Sequence, residues 1–214
     1  MKIDDGIISK IESEAKARFQ DLGPSHDWSH VGRVLQTALA MAEKEKADLE
    51  IVKIATYLHD IGRKSLKEED YDHAVEGAKM AREILKNYAL SLEQVDNICH
   101  CIETHRFRSE NIPQTIEAKC VHDADKLDVL GALGIARSYI YLGETMDCVI
   151  YLEAEENQAS NNRRTNSVQE EYEIKYRHLP EKMLTKTGKS MASERLNYMK
   201  SFLDRLENEV QGKL

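Results

Sequence analysis

Several histidines and aspartates of this 214-residue chain lie on apolar helical stripes. His30 stands four residues before Val34, and Ala38 and Met41 continue the same face. His59 is reached from Leu49 and Val52 through Thr56, and His73 precedes Gly77, Met80 and Ile84 in steps of four, three and four. His105 follows Val95, Ile98 and Ile102, and Asp125 lies four residues after Val121 and four before Val129. Residues three or four apart share one helix face, so each of these polar groups turns toward the interior. A single such histidine reads equally well as a satisfied core residue. A convergent set is different, because a buried carboxylate or imidazole needs a partner. One divalent cation satisfies several at once, with neutral imidazole nitrogens and carboxylate oxygens as its ligands.

The adjacent pair His59-Asp60 needs a local break. Neighbouring helical residues point about 100° apart, so both reach one ion only near a helix end. Gly62, two residues on, supplies that end.

The elements that carry these residues read as helices throughout. Ile3, Ile7, Ile8, Ile11, Ala15 and Phe19 mark a first helix over 3–22, stopped by Gly23-Pro24. A second runs from Asp27 to Lys46, and Asp48 caps a third that ends at Gly62. Ser65 with Glu68 forms a capping box before a helix at 70–87, and Ser91 with Gln94 forms another before the helix of Val95, Ile98 and Ile102. Residues 106–114 read as a loop. A long apolar region follows at 116–142, where Gly131 and Gly134 point to close helix packing. The stretch at 153–171 is almost wholly polar, and a final helix spans 189–210. No repeat, hairpin signal or glycine-rich phosphate loop interrupts the pattern. The expected class is all-α, in a single domain over 1–214. Its core lies at about 22–142 and a helical extension at about 172–214.

Composition fits that reading. Only 10 Gly and 3 Pro are present, with 41% hydrophobic and 32% charged residues, which suits a helical globular chain. The net charge of -8 disfavours stable nucleic-acid binding, although a metal and local cations could still hold a phosphorylated small molecule. Cys99, Cys101, Cys120 and Cys148 match no zinc spacing. The N-terminus lacks the apolar run of a signal peptide, and no stretch approaches the roughly 20 apolar residues of a membrane span. A cytoplasmic location with reduced thiols is the expectation.

The stretches HDWSHVGRV (26–34), YLHDIGRK (57–64) and HDADKLDVLG (122–131) resemble the HD superfamily of metal-dependent phosphohydrolases, whose ligand order is His, then His-Asp, then Asp. The resemblance implies His30, His59, Asp60 and Asp125 as ligands of one ion. Asp125 is preferred to Asp123 because it lies on the apolar stripe. The tail from Lys175 is similar to that of small bacterial and archaeal members related to nucleotide pyrophosphatases. Lys175, Thr185, Lys189 and Arg195 match in type there, and the likeness covers roughly residues 20–210. Glu171 departs, since the subgroup often has a histidine at that place.

The chemistry implied is hydrolysis of a phosphate ester or anhydride, with a nucleotide as the expected substrate. Asp60 then serves at the reaction centre as well as on the metal. His26, one turn before His30, could bind phosphate or relay a proton, and Lys64 could neutralise a phosphate. His73, His105, Lys175 and Asp128 are assigned to the substrate pocket. The resemblance also makes His73 and His105 candidates for a second ion, because two-metal HD proteins recruit histidines from the corresponding helices. The two-His, two-Asp set suits Mn, Fe, Co, Ni or Zn. Arg63 stands where some HD enzymes carry a glutamate, so the general acid is unassigned. Two other readings are a di-iron oxygenase on the same scaffold and a non-catalytic nucleotide sensor. A homodimer is compatible with the long last helix.

Overall fold

The computed structural model describes residues 2–19, 27–63, 72–106, 111–145, 150 and 167–213. Helices run in the order α1 (Asp5–Lys16), α2 (Trp28–Glu45), α3 (Leu49–Leu58), α4 (His73–Leu85), α5 (Leu92–Glu103), α6 (Ile116–Leu127), α7 (Gly131–Thr145), α8 (Val168–Ile174), α9 (Leu179–Lys182) and α10 (Lys186–Val210). No strand occurs among the described residues, and the all-α expectation holds.

Aspartate starts most of the early helices. Asp27 accepts from the N–H groups of Ser29 and His30, Asp48 from Glu50 and Ile51, and Asp72 from Ala74. Each satisfies donors that the first turn cannot pair and places negative charge at the positive end of the dipole. Ser91 and Gln94 form the expected capping box of α5. The box at Ser65 and Glu68 lies outside the described residues.

The chain gathers into two compact units. The first comprises residues 1–125 and 184–188. Its most apolar helix is α3, which packs against α1, α2 and α5, while α4 packs against α5. Ile11, Val31, Val34, Ala38, Met41, Val52, Ile54, Leu58, Ile98 and Ile102 are wholly buried. These are the stripes on which the histidines lie.

α3 stops at Leu58, earlier than the expected end at Gly62, and residues 59–62 form a turn. Gly62 lets two backbones touch, because a Cβ there would collide with the His73 carbonyl and the Gly77 main chain. Gly62→Ala is therefore expected to push the start of α4 away and to destabilise the protein by roughly 1–3 kcal/mol, lowering Tm by several degrees. Thermal unfolding checks this, and an unchanged Tm would contradict the close approach.

The second unit comprises residues 126–183 and 189–214. Leu127, Leu130, Leu142, Val168 and Met199 are buried in it. The long apolar region of the sequence is broken at 128–130. Gly131 adopts φ 73° there, a conformation that glycine reaches without a Cβ penalty. A Cβ at Gly134 would strike the Val129 carbonyl of the same turn. Both glycines thus serve a turn, in addition to the close approach of Gly131 to Arg195. Arg195 Nη1 donates to the Leu127 carbonyl at 2.6 Å, tying α10 to the end of α6. α8 begins inside the polar stretch at 153–171, where Ser167 caps it by accepting from the Glu170 N–H. α10 starts three residues earlier than the periodicity indicated.

A candidate metal centre in the first unit

His30, His59 and Asp60 each bring a ligand atom to within 4.8 Å of the others, and all three are buried. His30 comes from the first turn of α2, while His59 and Asp60 come from the turn that ends α3. His30 Nε2 lies 3.4 Å from His59 Nε2 and 3.8 Å from Asp60 Oδ2, and His59 Nε2 lies 3.6 Å from Asp60 Oδ2. Asp125 Oδ1 reaches His30 Nε2 at 3.4 Å from the more open side, its side chain 18% exposed. Atoms about 2.1 Å from one ion stand roughly 3.0 Å apart at a right angle and roughly 3.4 Å apart at the tetrahedral angle. The observed gaps of 3.4–3.8 Å begin at the wider of these values.

The other oxygen of Asp60 faces a second pair of rings. Asp60 Oδ1 is 3.3 Å from His73 Nε2 and 3.5 Å from His105 Nε2. His73 opens α4 and His105 lies just past α5. Asp60, His73 and His105 form a second group with metal-ligand proximity. One carboxylate therefore stands between two sets of imidazoles.

Ring tautomers make the case for a cation. His59 Nδ1 is 2.8 Å from the Thr56 carbonyl, and His105 Nδ1 is 2.6 Å from the Ile102 carbonyl. A carbonyl only accepts, so each Nδ1 carries the proton and each Nε2 presents a lone pair. Lone pairs and a carboxylate confronting one another at these distances repel unless a positive charge joins them. Asp60 Oδ1 and His73 Nε2 are buried and complete no hydrogen bond. The residues present fit a divalent transition metal.

Electrostatics keep the set in its ligating form. Burial depresses the pKa of His59, which the Asp60 and Asp125 carboxylates only partly oppose, and burial lowers His73 and His105 in the same way. Burial alone would raise the Asp60 carboxyl. Its neighbours His59 and Arg63, with His105 and His73, outweigh it and hold the group well below the usual carboxylate range. Arg63 Nε donates to Asp60 Oδ2 at 2.6 Å, a role that the resemblance does not imply. The i,i+3 spacing from Asp60 was the available signal.

The pH dependence follows from these directions. The ordinary histidine pKa is about 6.5, and in the folded protein these three lie lower. Below about pH 6.5 the unfolded chain binds protons that the folded chain refuses, so stability falls with acidification and is fully present above that value. Protonated imidazole cannot ligate, so metal affinity falls in the same direction. Tm of the metal-free protein and Mn titrations between about pH 5 and pH 7.5 check this, and a flat profile would contradict it.

The remaining sequence-derived residues divide. His26 and Lys64 lie outside the described residues. Asp128 and Lys175 belong to the second unit. There Asp128 Oδ2 accepts from Arg137 Nη1 at 2.9 Å, and Lys175 Nζ donates to both Glu171 oxygens at 2.8 Å. Asp123 is wholly buried and serves the fold: it accepts from the Leu184 and Thr185 N–H groups and from Thr185 Oγ1.

Residues 27–130 match the HD domain family. The chain is 31% identical to uncharacterized protein YpgQ of Bacillus subtilis, over 95% of this chain and 93% of that protein. The crystal structure of Bacillus subtilis YpgQ in complex with ADP superposes with a TM-score of 0.71, at 27% identity, covering 96% of this chain and 98% of that one. An HD-superfamily hydrolase from Bacillus thuringiensis superposes with a TM-score of 0.74, at 26% identity, covering 97% and 98%. No helix among the described residues is long and apolar enough to cross a membrane.

Proposed function

The chain belongs to the HD domain family, and on that premise we propose that it is a metal-dependent phosphohydrolase cleaving a phosphate ester or anhydride of a nucleotide. One observation carries the reading: the buried Asp60 carboxylate stands among imidazole nitrogens, two of which are fixed as acceptors by backbone carbonyls. His30, His59, Asp60 and Asp125 would hold one divalent ion, with Mn, Fe, Co, Ni and Zn suited to the donor set. Such an ion supplies a water acidified toward neutral pH and offsets charge on the phosphorus centre.

The chain's own residues do the rest. Asp60 orients through two oxygens, one toward each imidazole pair, so His73 and His105 offer a second cation position or a polar wall for the substrate. Arg63, held on Asp60 and 26% exposed, puts a fixed positive charge at the rim where an incoming phosphoryl group needs one. His26 and Lys64 are proposed as further phosphate contacts, with His26 a route for a proton. Asp128 and Lys175 are proposed as further substrate contacts, Lys175 through the N–H it does not give to Glu171. The ADP bound by YpgQ supports a nucleotide as the substrate class.

The test is a screen of nucleoside mono-, di- and triphosphates with Mn, Co, Ni and Mg, reading phosphate and pyrophosphate separately, with Asp60→Asn as the blank. Release above that blank supports the proposal. Silence in every combination overturns it. The pairing of His73 and His105 on one Asp60 oxygen also favours a second reading, a di-iron oxygenase. Oxygen uptake by iron-loaded protein without phosphate release would select that alternative.

A further inference from the structure

His73 differs from His59 and His105 in how its ring is held. Backbone carbonyls three residues earlier fix His59 and His105 through Nδ1. Among the described residues no hydrogen bond fixes the His73 ring, and its Nε2 is buried without one. Its position therefore depends on the main chain that starts α4. Asp72, the residue before it, caps that helix by accepting from the Ala74 N–H at 2.9 Å. The same Oδ1 accepts from Arg106 Nη1, also at 2.9 Å. Arg106 directly follows His105. This ion pair thus joins the two segments from which His73 and His105 project toward Asp60, with Arg106 only 23% and Asp72 only 33% exposed at the side chain.

We propose that the Asp72–Arg106 pair is a positioning latch that sets the separation of His73 and His105, and so tunes cation affinity at the Asp60–His73–His105 position without touching the ion. This inference rests on the metal-centre reading above and adds a residue pair to it. Neither side chain is a ligand, so the latch acts through the backbone of the two histidines.

Arg106→Gln and Asp72→Ser separate the roles. Serine caps a helix about as well as aspartate but is too short to reach Arg106, so Asp72→Ser removes the ion pair and keeps the helix start. Mn titrations followed by calorimetry, with electron paramagnetic resonance reading coupling between paired ions, resolve the first and second equivalents. Partners behind metal ligands are typically worth about 10–100-fold in metal affinity, and a loss in that range is expected for the second equivalent alone. The double variant should lose no more than either single variant, and Arg106→Lys should recover part of the loss. Circular dichroism and Tm confirm that each variant is folded. Equal weakening of both equivalents, no weakening of either, additive losses, or a wild-type protein that takes up one ion only would each overturn the latch. Hydrolysis by the wild-type protein is scored in parallel. An active protein with an unaffected second equivalent removes the latch and leaves the hydrolase reading, whereas an inactive one with a latch-dependent second equivalent does the reverse.

Discussion

Asp60→Asn is expected to lower turnover by at least about a hundredfold, the upper end of what removing a partner behind a metal ligand costs, and to leave the fold intact. The geometry dictates both halves of that outcome. Arg63 Nε donates to Oδ2, while Oδ1 faces the Nε2 atoms of His73 and His105. An asparagine keeps its one oxygen toward Arg63, since a guanidinium cannot face an amide nitrogen. The amide nitrogen then points at His73 and His105 and donates where His105 presents a lone pair. The substitution satisfies the buried groups and removes an anionic ligand in the same step. Metal content by elemental analysis, phosphate release and thermal unfolding read the three consequences. A variant that keeps metal and wild-type turnover would remove Asp60 from the centre.

Asp123→Asn is expected to do the opposite, harming the fold before the chemistry. Its two oxygens take Leu184 N–H at 3.0 Å, Thr185 N–H at 2.8 Å and Thr185 Oγ1 at 2.8 Å, with His122 Nδ1 at 3.0 Å. Thr185 Oγ1 in turn accepts from the Gly188 N–H at 2.8 Å, at the start of α10. An amide nitrogen in either oxygen's place confronts a buried donor. Leaving such a donor unsatisfied costs about 1–3 kcal/mol, and both positions of the carboxylate are occupied by donors. A loss of about 3 kcal/mol, or roughly 6–12 °C in Tm for a chain of this size, is the expected result. Activity per folded molecule at low temperature should be largely retained. A Tm within about 2 °C of wild type would show that the segment 184–188 is held by other means.

Helix starts were legible because their signals are local: Asp27, Asp48 and Ser91 cap the helices expected of them. The site was legible for a related reason. Apolar periodicity reports which face is buried, and His30, His59, Asp60, His73 and His105 are all buried. Asp125 approaches His30 at 3.4 Å, whereas Asp123 is taken up by the segment 184–188. Burial alone does not separate the two, because Asp123 is the more deeply buried. What separates them is a set of partners 61 and 62 residues away in sequence, which no periodicity carries. The Arg106–Asp72 pair spans 34 residues and was hidden for the same reason. Gly131 looked like a packing residue in a continuous helix, and only its backbone angle marks the turn.

The carbonyls behind His59 and His105 belong to the last turns of α3 and α5, where a helix leaves its carbonyls without intrahelical donors. The end of each helix thereby chooses the ring's tautomer at the moment the helix forms. With the proton held on Nδ1 of these two rings, the ion binding proposed above would need no hydrogen to migrate from one nitrogen to the other. A histidine three residues beyond an unpaired terminal carbonyl is a ligand already set, which makes the helix terminus a transferable part for building metal centres.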